Sequence, residues 1–455
     1  MSHDPRQALR EGSMTSFQVV VVVICVVLNM VDGFDVLAMS FTAPLVAREW
    51  GVEPAALGVL LAAGLVGMGT GAIFISPIAD VMGRRTVVIL STIIMSLGMF
   101  ASAATSNVLE LGLCRFVTGL GIGGVLASGN TLLAEYAPTR WRDFTISMMV
   151  IGYPTGAIIG GSVFAYLVSE YGWRSAFLFG GAASTLMLPF IILYLPESLD
   201  FILTRRRENA LRQVNDVLRR LGRAPLATLP TISREEAATK AVVGVIEPRY
   251  LKGTVLMTLS YFMLMFSFYF VLSWTPKNLV DLGFTVQQGI FALLMINLGG
   301  IVGGLLCGYG TRRLNARALT SWMLVALFFF IVGYGTIQTG VVPMMALAFL
   351  VGLGLMGAMA GLYIIVPHVY PPSVRNTGTG LAIGIGRIGA MVGPPLAGVL
   401  IAAGWERVAY YSVLALPVLI SALAVRYVVY FNEQAAPADG APVWDRKPAG
   451  LRPID

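Results

Sequence analysis

Twelve long apolar stretches, separated by short polar turns, run through almost the whole chain. They fall near residues 17–40, 55–77, 86–104, 108–132, 143–169, 173–195, 253–275, 285–310, 318–338, 341–366, 374–402 and 405–430. A helix crosses the hydrocarbon core of a bilayer in about 20 residues. The core offers no water to satisfy backbone polar groups, so apolar stretches of this length predict spanning helices. The pattern predicts an all-α integral membrane protein with twelve transmembrane helices. Polar sequence gathers in a segment 1–16, a central loop 196–252 and a tail 431–455, whose Pro- and Ala-rich end reads as disordered.

Composition strengthens this reading. The chain is 56% hydrophobic and 12% charged, with mean hydropathy +0.78, whereas soluble domains carry about 25% charge. A net charge of +7 and a pI near 9.4 raise the question of nucleic acid, but the basic residues lie in loops between apolar stretches. Their partner is therefore the membrane lipid surface. With both termini inside, only Arg48, Arg174, Lys277 and Arg407 lie in outer loops, and Arg115 and Arg387 lie within spans. The other 25 of the 31 basic residues fall on the inner side or its boundary, eleven of them in the central loop. That asymmetry fixes the orientation by the positive-inside rule. In the central loop, Arg205, Arg206, Arg207, Arg212, Arg219 and Arg220 predict one or two short amphipathic helices on the inner leaflet, read as a solvated basic linker in preference to a regulatory site. The first stretch is too long for a signal-peptide core and has no obvious cleavage site, so it reads as the first span. Cys25, Cys114 and Cys307 have no paired or metal-type spacing and read as packing residues.

The chain repeats itself. Arg115-Phe-Val-Thr-Gly-Leu-Gly in the fourth stretch matches Ala348-Phe-Leu-Val-Gly-Leu-Gly in the tenth, at an offset of 233 residues. Arg142 and Arg375, Gly156 and Gly389, and Gly160 and Gly393 keep the same register. This predicts two pseudo-symmetric six-helix bundles, over 17–195 and 253–430. Such repeats place a binding site near the midplane, where the halves meet.

Charges inside spans carry the candidate chemistry, because each needs a partner, water or a ligand. Asp32 and Asp35 lie three apart, on one helical face of the first stretch. Burial and mutual repulsion both favour taking up a proton there, which makes the pair a candidate proton carrier. An alternative is half of an ion-pair lock with the two membrane arginines. Arg387 sits near the middle of the eleventh stretch, and a guanidinium can hold a carboxylate through two parallel hydrogen bonds. Its alternative is a permanent pair with Asp32 or Asp35. Arg115 lies about two turns inside the outer boundary, where it either meets a buried partner or snorkels outward.

Aromatic residues Phe262, Phe266, Phe270 and Trp274 recur every four residues in the seventh stretch. That face turns either to lipid or to a pocket, with Trp274 and Phe270 as candidate pocket residues beside Tyr363 and Asn297. At the inner mouth, Ser76-Pro-Ile-Ala-Asp80-Val-Met-Gly83-Arg84-Arg85 suggests a gate. There Asp80 accepts hydrogen bonds from the N-terminus of a neighbouring helix, and Arg84 and Arg85 reach acids or lipid phosphates. Glu135 and Arg142 form a candidate pair beside it.

The Asp80–Arg85 segment resembles the signature of the major facilitator superfamily, with Ser76 in place of its leading Gly. Its second-half copy, Gly308-Tyr-Gly-Thr-Arg312-Arg313, lacks the Asp. Arg115-Phe-Val-Thr-Gly119-Leu-Gly121-Ile-Gly123 resembles that family's Arg-plus-glycine motif. Together with Asp32-Gly-Phe-Asp35 and Arg387-Ile-Gly389, these segments resemble the aromatic acid:proton symporters, over roughly 17–430. Gly152-Tyr-Pro154-Thr-Gly156 only partly resembles the antiporter signature, and Pro196-Glu197-Ser198 also occurs in sugar carriers.

The resemblance implies a monomeric proton-coupled symporter of the bacterial inner membrane, importing a benzoate-type acid. It also implies transport roles for Asp32, Asp35, Arg115 and Arg387. The energy source would be the proton gradient, with no cofactor, metal or nucleic acid involved. An exporter of metabolites or drugs on the same scaffold and a non-transporting solute sensor are the rival readings. No nucleophile–base or metal constellation points to an enzyme.

Overall fold

The computed structural model describes residues 5–10, 13–205, 208–229, 247–337, 340–370 and 374–430. Arg206, Arg207 and the 431–455 tail lie outside the described residues. Among the described residues, twelve helices are long and apolar enough to cross a membrane. In chain order the spans are Ser16–Trp50, Pro54–Met82, Arg84–Ala103, Val108–Tyr136, Arg142–Tyr171, Arg174–Tyr194, Pro248–Asp281, Val286–Gly310, Ala316–Thr336, Val341–Val369, Arg375–Ala402 and Arg407–Arg426.

Local signals explain the boundaries. The first span opens on a capping box, in which the Thr15 side chain and Gln18 satisfy each other's backbone N–H groups. It closes at Gly51, whose left-handed backbone (φ 60°) returns its N–H to the Ala47 carbonyl. The helix thus runs ten residues past the predicted end. Pro44 and Arg48 interrupt the apolar pattern without interrupting the helix. The seventh span is likewise longer than predicted, starting on Pro248, where a missing N–H costs nothing.

The duplication extends to individual contacts. In the first half, Gly156 and Gly160 of the fifth span bring it against Met30 and Phe34 of the first. In the second, Gly389 and Gly393 of the eleventh span press against Phe262 and Phe266 of the seventh. Gly67 and Gly71 of the second span meet Phe116 and Leu120 of the fourth, as Gly299 and Gly303 of the eighth meet Phe349 and Leu353 of the tenth. Small residues at these crossings let backbones approach closely, the main source of helix association in lipid. A Gly156→Leu substitution would drive a branched side chain into the Met30 backbone. It is expected to abolish folded protein in the membrane, read as loss of the monodisperse peak in detergent chromatography.

The rims of both bundles are apolar. Phe74, Leu186 and Phe329 each expose more than half of their surface, which suits lipid rather than water. Both ends of the described chain lie at one face, called here the terminal face. Three short helices cover its first-half side. Pro5–Arg10 is held by the Gln18 amide, which donates to the carbonyls of Leu9 and Tyr136. Leu199–Arg205 and Ala210–Arg220 bury Ile202, Leu203, Val214, Val217 and Leu218 in one apolar cluster with Leu9 and Cys25. These amphipathic helices therefore seat their apolar faces on the protein, not on the leaflet predicted from sequence.

The halves meet toward the opposite face. Gly58 stands against Pro394, Pro395 and Gly398, Gly69 against Met391, and Gly161 against Leu294. Toward the terminal face, Gly304, Gly308, Gly380 and Gly384 have nothing within 4 Å of the position a Cβ would take. The bundle is closed on the face away from its termini.

Candidate functional site

The first span carries both acids into the middle of the protein, where Asp32 and Asp35 are fully buried. Their surroundings differ. One Asp35 carboxylate oxygen accepts from Ser184 at 3.3 Å. Arg115 donates to the Asp35 backbone carbonyl at 2.6 Å and to the Met99 sulfur at 2.8 Å, with its guanidinium over the Phe177 ring. Arg115 is only 1% exposed, so it does not snorkel. It is a buried cation holding the backbone around Asp35 inside the first half. Neither Asp32 oxygen has a hydrogen-bond partner among the described residues. Gly33 beside it lets the fifth span approach so closely that a Cβ would overlap the Tyr153 backbone.

Tyr153 joins the two halves electrostatically. Its hydroxyl lies within reach of the charges of both Asp32 and Arg387. It faces the Tyr269 hydroxyl of the seventh span, short of full hydrogen-bond geometry. Tyr269 and Tyr363 also lie within reach of Arg387, and Tyr261 packs edge-on against Tyr363 at 5.8 Å. Arg387 has a buried Nη1 with no acceptor among the described residues. Among the described residues it forms no ion pair with Asp32 or Asp35. The permanent pair considered from sequence is therefore not formed. Tyr363 keeps 40% of its surface accessible, so the site is open to small molecules. An unpartnered carboxyl, an unpartnered guanidinium and several phenols thus share one space between the halves.

Trp274 and Phe270 belong to packing instead. Trp274 is 1% exposed and donates its indole N–H to the Pro394 carbonyl at 3.0 Å. Phe270 sits edge-on against Tyr411 at 5.1 Å and also meets Tyr410. The four-residue aromatic stripe is a seam against the eleventh and twelfth spans, which corrects the pocket reading for both residues. Asn297 is buried and donates to Leu293 of its own helix at 2.8 Å, leaving its side-chain oxygen without a donor.

At the terminal face, Arg84 forms an ion pair with Glu135. Ser198 ties the pair together, accepting from Arg84 at 3.1 Å and donating to Glu135 at 2.7 Å. Glu135 thus takes Arg84 and not Arg142, as the sequence had suggested. Gly83 (φ 107°) turns the chain so tightly that a Cβ would meet the Glu197 carboxylate. Glu197 accepts from the Arg85 and Ser198 N–H groups at 3.0 and 2.9 Å, and Arg85 donates to the Ile192 carbonyl at 2.6 Å. The helix-terminus acceptor is therefore Glu197, on the connection after the sixth span, and not Asp80 in the last turn of the second. The Asp80 side chain is exposed, and its backbone carbonyl accepts from Arg205 at 2.9 Å.

A family model described as "Major Facilitator Superfamily" matches residues 25–343 and 320–454. The chain belongs to the major facilitator superfamily. It is accordingly a membrane transporter and not an enzyme. Its relatives include the 4-hydroxybenzoate transporter PcaK of Acinetobacter baylyi, 30% identical over 93% of this chain and 94% of that protein. The gallate transporter of Pseudomonas putida is 31% identical over 96% and 98%, and the benzoate transport protein of A. baylyi 27% identical over 92% and 91%. Among solved structures, the inward-open xylose transporter XylE of Escherichia coli superposes with a TM-score of 0.71. That match covers 90% of this chain and 96% of that one at 15% identity, a likeness of fold.

Within the superfamily fold, two site residues escaped the sequence reading. Tyr153 lies in the Gly152–Gly156 segment, which drew notice only as an imperfect antiporter motif. Tyr269 lies one position before Phe270 on the aromatic helix and points away from the stripe. A polar aromatic next to a helix-crossing glycine was the available signal for Tyr153. Tyr269 had none short of its partner across the halves.

Proposed function

We propose that this transporter imports a small aromatic carboxylate together with at least one proton, by alternating access. The observation that carries the reading is the unmatched pair of charges, Asp32 and Arg387. They come from opposite halves and share Tyr153, while each retains buried polar atoms without a partner. A carboxylate would satisfy Arg387 through paired charge-assisted hydrogen bonds, and the phenols of Tyr153, Tyr269 and Tyr363 would border its ring. The relatives named for 4-hydroxybenzoate, gallate and benzoate support an aromatic acid as the cargo.

Basic residues crowd the terminal face, so that face is assigned to the cytoplasm and the closed face to the outside of a bacterial inner membrane. The conformation is then inward-facing. In the outward-facing state a proton neutralises Asp32 and the acid's carboxylate neutralises Arg387. Burying both then costs far less than burying two uncompensated charges, and the halves rock over the occupied site. Asp35 shares the proton-binding region, and Arg115 acts by holding it rather than by touching substrate. The terminal network of Gly83, Arg84, Arg85, Glu135 and Glu197 keeps the first half rigid as it moves; Asp80 and Arg142 lie at its edge.

Uptake of labelled benzoate, 4-hydroxybenzoate, gallate and xylose into proteoliposomes tests the reading. Aromatic acids are expected to accumulate only with an inward proton gradient, and xylose not at all. Failure of every aromatic acid to enter, with an imposed gradient intact, would overturn the substrate class.

A further inference from the structure

We propose that the terminal face carries a binding site for one anionic phospholipid of the adjoining leaflet, with its phosphate between the N-terminal helix and the start of the fifth span. A cavity of about 210 Å³ opens there, lined by Arg6, Arg10, Arg84 and Arg142 together with Glu135 and Asp200. Both acids are already engaged. Asp200 pairs with Arg6 at 2.6 Å, and Glu135 pairs with Arg84 and Ser198. Arg10 and Arg142 form no ion pair among the described residues, so two guanidiniums converge on the space without an anion. They come from separate elements. A tetrahedral oxyanion offers oxygens in several directions and can meet both, whereas a carboxylate presents two in one plane.

A second cavity identifies the rest of the ligand. An apolar groove of about 480 Å³ lies between the start of the first span (Val19, Val22, Val23, Val26) and that of the fifth (Phe144, Met148). The two spaces share their borders along the chain. Trp141 lines the groove and Arg142 the cavity, while Arg10 of the cavity leads to Ser13 and Met14 of the groove. Trp141 stands edge-on to Phe144 at 5.8 Å, and Trp is the residue that favours the headgroup level of a bilayer. A free phosphate would fill the cavity and ignore the groove. A phospholipid fills both, pinning the N-terminal helix over the Arg84–Glu135 pair.

Native mass spectrometry of the full-length, delipidated protein tests this, using dioleoylphosphatidylglycerol and, separately, inorganic phosphate. The wild-type chain is expected to retain one phosphatidylglycerol. Arg10→Gln/Arg142→Gln is expected to lower its affinity by about 10-fold or more. Val23→Trp, which fills the groove without touching a charge, is expected to weaken retention as well. It decides the matter alone if the double variant does not fold. Equal retention by wild type and variants would overturn the site. Saturation by inorganic phosphate that leaves phosphatidylglycerol unbound would overturn its assignment to a lipid.

Discussion

An Asp32→Asn carrier is expected to exchange substrate across the membrane but not to accumulate it. Asn keeps the size of a protonated carboxyl and removes the titration, so the site stays in the form that the proposed cycle reaches only after protonation. Asp32 suits this role because it has no hydrogen-bond or ion-pair partner among the described residues. Both oxygens are buried and unpartnered, and a charge left so within the membrane costs several kcal/mol. If one proton accompanies each monoanion, a pH gradient of about one unit supplies about 1.4 kcal/mol and supports about 10-fold accumulation. The variant should bring the internal concentration only to the external level while counterflow of labelled acid continues. Retained tenfold accumulation would remove Asp32 from coupling. Asp35→Asn should act differently, since Ser184 and the Arg115-held backbone already engage that residue; it is expected to weaken stability together with transport.

Arg387→Ala is expected to cost substrate affinity rather than coupling. Hydrogen bonds to charged groups contribute about 1.5–3 kcal/mol each, so losing a two-pronged grip weakens binding by about 100-fold or more. Arg387→Lys keeps the charge but not the planar fork, and should fall between the two. Competition by unlabelled benzoate against bound 4-hydroxybenzoate measures this directly in detergent, free of any gradient. Unchanged affinity in Arg387→Ala would transfer the carboxylate to another cation. Arg115 is a poor substitute, because it is enclosed by Asp35, Met99 and Phe177.

The scaffold was legible because lipid leaves so few solutions. Twelve apolar stretches can only be helices, and the glycines spaced by 233 residues turned out to be the crossing points of corresponding helix pairs. Charges inside spans were legible for the same reason: Asp32, Asp35, Arg115 and Arg387 stand out against an apolar background. What one strand of sequence does not carry is which helix face meets which. Periodicity placed Phe270 and Trp274 on one stripe, but the stripe's partner proved to be the eleventh and twelfth spans. Glu135 had two cations within plausible reach, and in the fold it pairs with Arg84 beside Ser198. Tyr153 and Tyr269 gain their meaning only from each other and from Arg387. Tyr153, Tyr269 and Arg387 stand more than a hundred positions from one another.

The central claim is that the aromatic acid and a proton cross together through a site containing Asp32. Proteoliposomes loaded with a pH-sensitive dye measure this most directly, with protein-free vesicles as the control for passive entry of the acid. Adding 4-hydroxybenzoate outside, with no gradient imposed, is predicted to acidify the lumen of wild-type vesicles in step with uptake of label, and to leave Asp32→Asn vesicles at the control rate. Entry of labelled acid through the wild-type protein without acidification beyond that control would contradict the account.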